Sequence, residues 1–185
     1  MPNWCYTSFV IEGDEKEICD LYNVMRSLEM KQESLVPNGF GNCWLGNVVT
    51  ALGENWNNIP CRGEFSQLQL LDKSSLAFDT ETAWCPPSDF IDLLASKYPS
   101  IKHYYMSEEP GCGVYETNDK DGIYFPDRYI VEDPDNGGHY YFTKDEEDRV
   151  YEYVSNITGV SVSSMEQAQK AVERYNDEHD SFLLV

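Results

Sequence analysis

The first hundred residues switch between two hydrophobic periods, one typical of strands and one typical of helices. Residues 4–12 carry apolar or β-branched side chains at every second position, which predicts a strand with one buried face. Residues 14–30 instead repeat apolar side chains every three or four positions, which predicts an amphipathic helix capped by Asp14. The apolar positions of this helix are Ile18, Leu21, Tyr22, Met25 and Leu28.

The same succession of patterns returns further along the chain. Residues 64–72 and 75–83 alternate as two strands with a two-residue polar join, which predicts an antiparallel hairpin. A proline-led amphipathic helix is expected at 88–98, and a strand at 101–107. The predicted order is βαββαβ, the split βαβ pattern of ferredoxin-like α+β folds, in which both helices cover one face of an antiparallel sheet.

Two stretches lie outside this pattern. Residues 35–63 are rich in Gly and Asn and contain two tryptophans, which predicts an irregular insertion anchored by those side chains, with one short helix at 45–52. The first domain is expected to end near residue 110. Residues 111–185 are expected to form an acidic extension of strands and helices packed on residues 1–110.

The extension is predicted to hold three strands and two helices. Thr143 with Glu146, and Ser163 with Glu166, have the spacing of capping boxes, so each pair is expected to begin a helix. The strands are expected at 113–117, 128–132 and 139–143.

Five short segments within residues 1–125 carry a family resemblance. They are Met1-Pro-Asn-Trp-Cys5, a first strand ending at Gly13, Thr80-Glu81-Thr82-Ala83-Trp84, Tyr98-Pro99 and Glu108-Glu109-Pro110-Gly111. Together they resemble uncharacterised bacterial proteins with a YubB-like ferredoxin-like domain, which phages, plasmids and other mobile elements often encode. The resemblance implies a ferredoxin-like fold. It implies no activity, cofactor or catalytic residue, because none is established for that family.

Charge and composition argue against some classes of ligand and indicate the cellular compartment. The 185 residues include 33 acidic and 13 basic side chains, a formal net charge of −20, which argues against direct binding to nucleic acid or anionic lipid. Residues 107–185 carry −13 of this charge. The opening residues lack a secretory leader pattern, and no apolar run reaches the ~18 residues of a membrane span. With six cysteines and no CxxC pair, we expect a cytoplasmic protein with reduced thiols.

Candidate chemistry is sparse, and the sequence predicts no metal site and no cofactor. Residues 118–122 superficially resemble a calcium loop but lack its first and last acidic ligands, so a turn is expected. Cys85 at the start of the second helix and His103 on a neighbouring strand are the best nucleophile and base the chain offers. The carboxylates of most interest lie on or beside central strands, and the predicted pocket or interface comprises Glu81, Trp84, Tyr105, Glu108 and Glu109.

Three functions fit the sequence, and no pattern identifies an activity or an oligomeric state. The leading one is a non-enzymatic protein-interaction module of a mobile element, whose partner is another protein. The first alternative is an acidic mimic of nucleic acid that binds a basic DNA-binding protein. The second is an enzyme of unrecognised type that uses Cys85 and His103, or Glu81 and Glu108.

Overall fold

The chain forms two compact units, Met1–Cys112 and Gly113–Val185. A computed structural model describes residues 3–109, 114–133 and 138–179. The predicted domain boundary at residues 110 and 111 lies outside these ranges. Among the described residues, no helix is both long enough and apolar enough to cross a bilayer. The five cysteines in these ranges are free thiols.

The first unit has the predicted ferredoxin-like fold. Its four described strands lie in the order β2-β3-β1-β4, and every neighbouring pair is antiparallel. With a helix after β1 and another after β3, this is the split βαβ arrangement. The strands are β1 (Trp4–Glu12), β2 (Gly63–Asp72), β3 (Ser75–Ala83) and β4 (Lys102–Glu109); the helices are α1 (Glu15–Glu29), α2 (Leu45–Ala51) and α3 (Ser88–Lys97).

The two amphipathic helices cover the same side of this sheet, as predicted. Phe9 of β1 and Phe78 of β3 stack with their ring centroids 5.1 Å apart, and they belong to one apolar cluster with residues of α1 and α3. Because burial of apolar surface is the main force that drives folding, this cluster determines the layering. We call this side the helix face. The opposite side, here the open face, carries Trp4, Tyr6, Asp79, Glu81, Tyr104, Met106 and Glu108.

The cap predicted for α1 is wrong in detail. Asp14 occupies the N-cap position, but its side chain makes no capping hydrogen bond. Instead, the Asp14 N–H donates to Ser100 Oγ at 2.9 Å, and Ser100 Oγ donates to Glu17 Oε2 at 2.7 Å. The loop between α3 and β4 therefore holds the start of α1, a long-range contact that local sequence does not reveal.

Residues 35–63 contain the predicted short helix, which is α2, and a 3-10 helix at Trp56–Asn58. The fully buried side chain of Asn47 organises the loop before α2. Its amide donates to the carbonyls of Gly41 and Asn42, and its oxygen accepts from the Val36 N–H at 3.0 Å. These bonds satisfy backbone groups that would otherwise be buried without partners.

The second unit contains the five elements predicted for it. The β6-β7 hairpin and helices α4 and α5 share a separate apolar cluster that includes Phe142, Val150 and Val172. The elements are β5 (Val114–Thr117), β6 (Asp127–Asp133), β7 (Gly138–Thr143), α4 (Glu147–Thr158) and α5 (Met165–Glu178).

One predicted capping box of this unit is confirmed and the other is wrong. Thr143 and Glu146 form a capping box that closes a 3-10 turn just before α4. Helix α5 begins one residue later than predicted, because Ser164 is its N-cap and accepts from the Gln167 N–H. Gln167 Oε1 in turn accepts from the Ser163 N–H at 3.0 Å, so Gln167 takes the part that the prediction gave to Glu166.

Residues 118–122 form a turn around a buried carboxylate. Asp119 Oδ2 accepts from the N–H groups of Tyr124 and Phe125 at 2.7 and 2.9 Å, and Arg128 donates to the Asp119 carbonyl. These two N–H groups reach Oδ2, whereas Asp119 Oδ1 is buried and has no hydrogen-bond partner among the described residues. The N–H groups of Lys120 and Gly122 donate to the carbonyls of Asn118 and Asp119, which confirms the turn predicted for residues 118–122.

We predict that Gly63→Ala destabilises the first unit by at least about 1–3 kcal/mol. A Cβ at residue 63 would overlap the backbone carbonyl oxygen of Glu81 on the paired strand, which has no room to move. Urea unfolding followed by tryptophan fluorescence measures the effect. Gly41→Ala is the matched control, because a Cβ there meets nothing within 4 Å, and its unfolding free energy should change by less than about 0.5 kcal/mol. Equal stability of the two variants would contradict the strand pairing.

We predict that Asp119→Asn destabilises the second unit by about 1–3 kcal/mol at pH 7, because a buried anionic acceptor is lost. Burial opposes ionisation of Asp119, but the N–H groups of Phe125, Tyr124 and Ile123 and the charge of Arg128 outweigh it, so its pKa lies below the ordinary 3.8. A lowered folded-state pKa contributes stability above about pH 4 that disappears as the pH falls further. The difference between wild type and variant in urea unfolding should shrink between pH 5 and pH 3. A constant difference would contradict this role.

Candidate functional site

Acidic and aromatic side chains meet at one end of the open face. The strand register places Glu64, Glu81, Tyr6 and Glu108 directly opposite one another across β2, β3, β1 and β4. We call these four residues the acidic row. Tyr6 is 56% exposed, so the row is accessible at its centre. Cross-strand neighbours on one face lie close enough to contact a single ligand.

A cavity of about 540 Å³ opens beside this row within the first unit. Four aromatic side chains line it, together with two carboxylates of the acidic row and one guanidinium. We call it the aromatic pocket. Its principal lining residues are Trp4, Phe40, Trp44, Arg62, Glu81 and Trp84, together with Glu64.

Trp44 is the buried wall of the pocket, with only 4% of its surface exposed. Its ring stacks on Phe40 at a centroid distance of 5.1 Å and meets Trp56 edge-on at 5.2 Å, while its indole N–H donates to the Cys61 carbonyl. The ring also lies against Gly46, where a Cβ would overlap it. These contacts hold the indole ring of Trp44 in place, so this wall of the pocket exists before any ligand binds.

Trp84 is an exposed lining residue of the pocket and has an unusual backbone. Its φ of 77° lies in the left-handed region, which is rare for a bulky residue and costs about 1–3 kcal/mol. The Trp84 N–H donates to the Asn3 carbonyl at 3.0 Å, and Thr82 Oγ1 donates to the Cys85 carbonyl at 2.8 Å. These bonds hold the strained turn, and the indole, 46% exposed, lines the pocket.

The charges in the pocket are not compensated by ion pairs. Glu64 and Glu81 face each other on neighbouring strands, where like charges destabilise a sheet by about 0.2–1 kcal/mol. Among the described residues, Glu64, Glu81 and Arg62 form no salt bridge. The pocket therefore offers carboxylates to a cation that is not part of its own wall.

The structure divides the predicted site residues between two faces. Glu81 and Trp84 line the aromatic pocket, and Glu108 belongs to the acidic row. Tyr105 and Glu109 lie on the helix face; Tyr105 pairs with Phe9 at a centroid distance of 6.0 Å, and Glu109 is buried. Because successive strand residues point to opposite faces, these two cannot join Glu108 in one site.

The predicted catalytic pairs are not assembled. His103 lies opposite Ile11 of β1, whereas Cys85 follows the end of β3 that pairs with Trp4, so seven residues of β1, roughly 23 Å, separate them. The interpretation of Cys85 and His103 as a nucleophile and base is therefore wrong. Burial also lowers the pKa of His103.

The predicted carboxylate pair is likewise interrupted. Tyr6 lies between Glu81 and Glu108 in the strand register, which places their backbones about 10 Å apart rather than directly opposite each other. Cys61 at the pocket wall is no substitute nucleophile, because burial raises the pKa of its thiol to about 11. No group of three or more His, Cys, Asp or Glu side chains within the described ranges could hold a metal ion.

Sequence reasoning missed most of the pocket wall. Trp4 and Phe40 were not predicted as site residues, and Trp44 was predicted only as an anchor of the insertion. The alternation in β1 places Trp4 on the face opposite Cys5, which is a usable signal. Phe40 and Trp44 come from an irregular segment, which has no period from which their direction follows.

The antiparallel sheet with both amphipathic helices on one side defines this chain as a ferredoxin-like α+β protein, and the aromatic pocket opens on the other side of that sheet. A family model described as the ferredoxin-like domain in Api92-like protein matches residues 55–151, just over half of the chain. The chain belongs to this family. The match begins after β1 and α1 and continues into α4, so its limits differ from those of the first unit. No curated protein and no solved structure matches the chain.

We predict that Glu81→Gln raises the free energy of unfolding of the first unit by about 0.2–1 kcal/mol, because it removes the repulsion from Glu64. Urea unfolding followed by tryptophan fluorescence checks this. Glu33→Gln is the control for the overall charge and should leave stability unchanged, because Glu33 is an exposed loop residue that pairs with no charged group in the described ranges. A less stable Glu81→Gln variant would show that the carboxylate has a structural partner.

Proposed function

We propose that this chain is a non-enzymatic protein-interaction module whose open face binds a basic protein. The observation that carries the proposal is the acidic row beside the aromatic pocket. Carboxylates there face outward, Glu64 and Glu81 form no ion pair with any residue that the structure describes, and tryptophan side chains adjoin them. Tryptophan, tyrosine and arginine dominate the energetics of protein interfaces.

The electrostatics favour a basic partner. The chain carries a formal charge of −20, and the first unit concentrates Glu64, Asp79, Glu81 and Glu108 at one part of its open face. A field of one sign raises the association rate of an oppositely charged protein and weakens with salt. The aromatic surface then supplies contact area that charge alone does not.

The geometry favours binding over catalysis. Cys85 and His103 lie at opposite ends of the sheet, and Tyr6 separates Glu81 from Glu108. A nucleophile needs a base within hydrogen-bond reach, and Cys85 and His103 do not provide this. The features that do converge are aromatic and acidic, which suits recognition of a cation.

Three narrower expectations belong to the proposal and rest on the sequence. The YubB-like resemblance supports an origin on a mobile element, and the free cysteines support a cytoplasmic location. A DNA-binding protein is one class of basic partner. If the partner is of that class, the acidic row would occupy its DNA-binding surface.

A photo-crosslinking amino acid at residue 6 tests the proposal in the cells that encode the chain. We predict a covalent adduct with a protein of strongly basic composition, whose yield falls when Glu64 and Glu81 are both replaced by Gln. The same group at Lys16, an exposed position on α1, is the control and should not give this adduct. Equal adducts from both positions, or adducts from residue 6 with acidic proteins only, would contradict the proposal.

A further inference from the structure

We infer that the aromatic pocket receives an arginine side chain of the partner. The inference rests on the proposed function, because it specifies which group of the basic protein enters the open face. The volume of about 540 Å³ lies within the range of sites that enclose a ligand, whereas contact with a flat interface needs no such cavity.

The walls suit a planar cation. Trp4, Trp44 and Trp84 contribute three indole rings and Phe40 a phenyl ring. A guanidinium group stacks on such rings and is less strongly hydrated than the ammonium group of lysine, so it loses less on entering an apolar pocket. The buried Trp44 wall is preformed, which reduces the ordering that binding requires.

The carboxylates supply the polar end of the site. Glu64 and Glu81 lie opposite each other. A cation between them would be attracted to both carboxylates and would offset their mutual repulsion. Guanidinium donates two parallel N–H bonds to a carboxylate, which lysine cannot do. The site thus combines a stacking surface with the acceptors that match the edge of the same group.

Arg62 reduces the net negative charge of the pocket and so determines how much positive charge a ligand needs to neutralise it. It lines the same cavity, and its carbonyl accepts from the Ala83 N–H at 3.0 Å, so its backbone is held at the pocket wall. Two carboxylates and one guanidinium leave a single negative charge, which one incoming arginine neutralises. Removal of the Arg62 charge should therefore strengthen binding of an arginine side chain, whereas removal of a carboxylate should weaken it.

The test uses the full-length chain and short capped peptides with Gly-Arg-Gly, Gly-Lys-Gly or Gly-citrulline-Gly sequences. Three of the four tryptophans line the pocket, so tryptophan fluorescence reports on its occupancy directly. We predict a saturable change with the arginine peptide. The lysine peptide should bind at least about fivefold more weakly, and the neutral citrulline peptide should give no saturable change.

Substitutions of residues that line the aromatic pocket test whether the arginine peptide binds there. Glu81→Gln should weaken the arginine peptide at least about tenfold, Arg62→Gln should strengthen it, and Glu33→Gln should leave it unchanged. Because Glu81→Gln is expected to stabilise the fold, its weaker binding would not result from unfolding, and circular dichroism checks this.

Two results would overturn the inference: equal binding of the arginine and lysine peptides, or no saturable change up to the solubility limit of the arginine peptide. The crosslink at residue 6 separates this failure from that of the proposed function. If the basic adduct forms but the peptides show no preference for arginine, the pocket assignment is wrong and the interaction module stands. If the arginine peptide binds but no basic adduct forms, the pocket binds arginine and the proposed function is wrong.

Discussion

The central strand β1 determines the organisation of the first unit, because it is hydrogen-bonded along both edges, to β3 and to β4. Its register decides which side chains share a face. Phe9 and Ile11 point to the helices and join the buried cluster, whereas Trp4 and Tyr6 point to the open face. A shift of one residue would exchange the two sets, so the same apolar burial that stabilises the core also places the acidic row outside.

The open face departs from what stability alone would favour. A bulky tryptophan at residue 84 has a left-handed backbone, and two glutamates face each other across β2 and β3. Each feature costs stability on the order of a kcal/mol. Folded proteins retain such costs chiefly at functional sites, and here both costs fall at one pocket. Their coincidence with an exposed aromatic surface is the physical basis of the proposed function.

The sequence was sufficient for the fold and insufficient for the site. Periods of two and of 3.6 residues identified β1 and α1, because burial on one side of each element leaves a regular pattern. Alternation also contains the information that Glu108 and Glu109 point to opposite faces. No periodic sequence pattern identifies the pocket wall, since Trp44 lies in an irregular segment held by hydrogen bonds to distant residues. The backbone of Trp84 was likewise unpredictable, because bulky residues rarely adopt a left-handed conformation.

Fluorine NMR of the chain labelled with 5-fluorotryptophan measures most directly whether the open face is the binding surface. Each of the four tryptophans gives one signal, assigned by single substitution, and Trp56 provides an internal reference because it does not line the pocket. On addition of the purified basic partner, we expect the largest shifts at Trp4 and Trp84 and the smallest at Trp56. Unchanged signals from Trp4 and Trp84 in the presence of a partner that binds would show that the open face is not the binding surface.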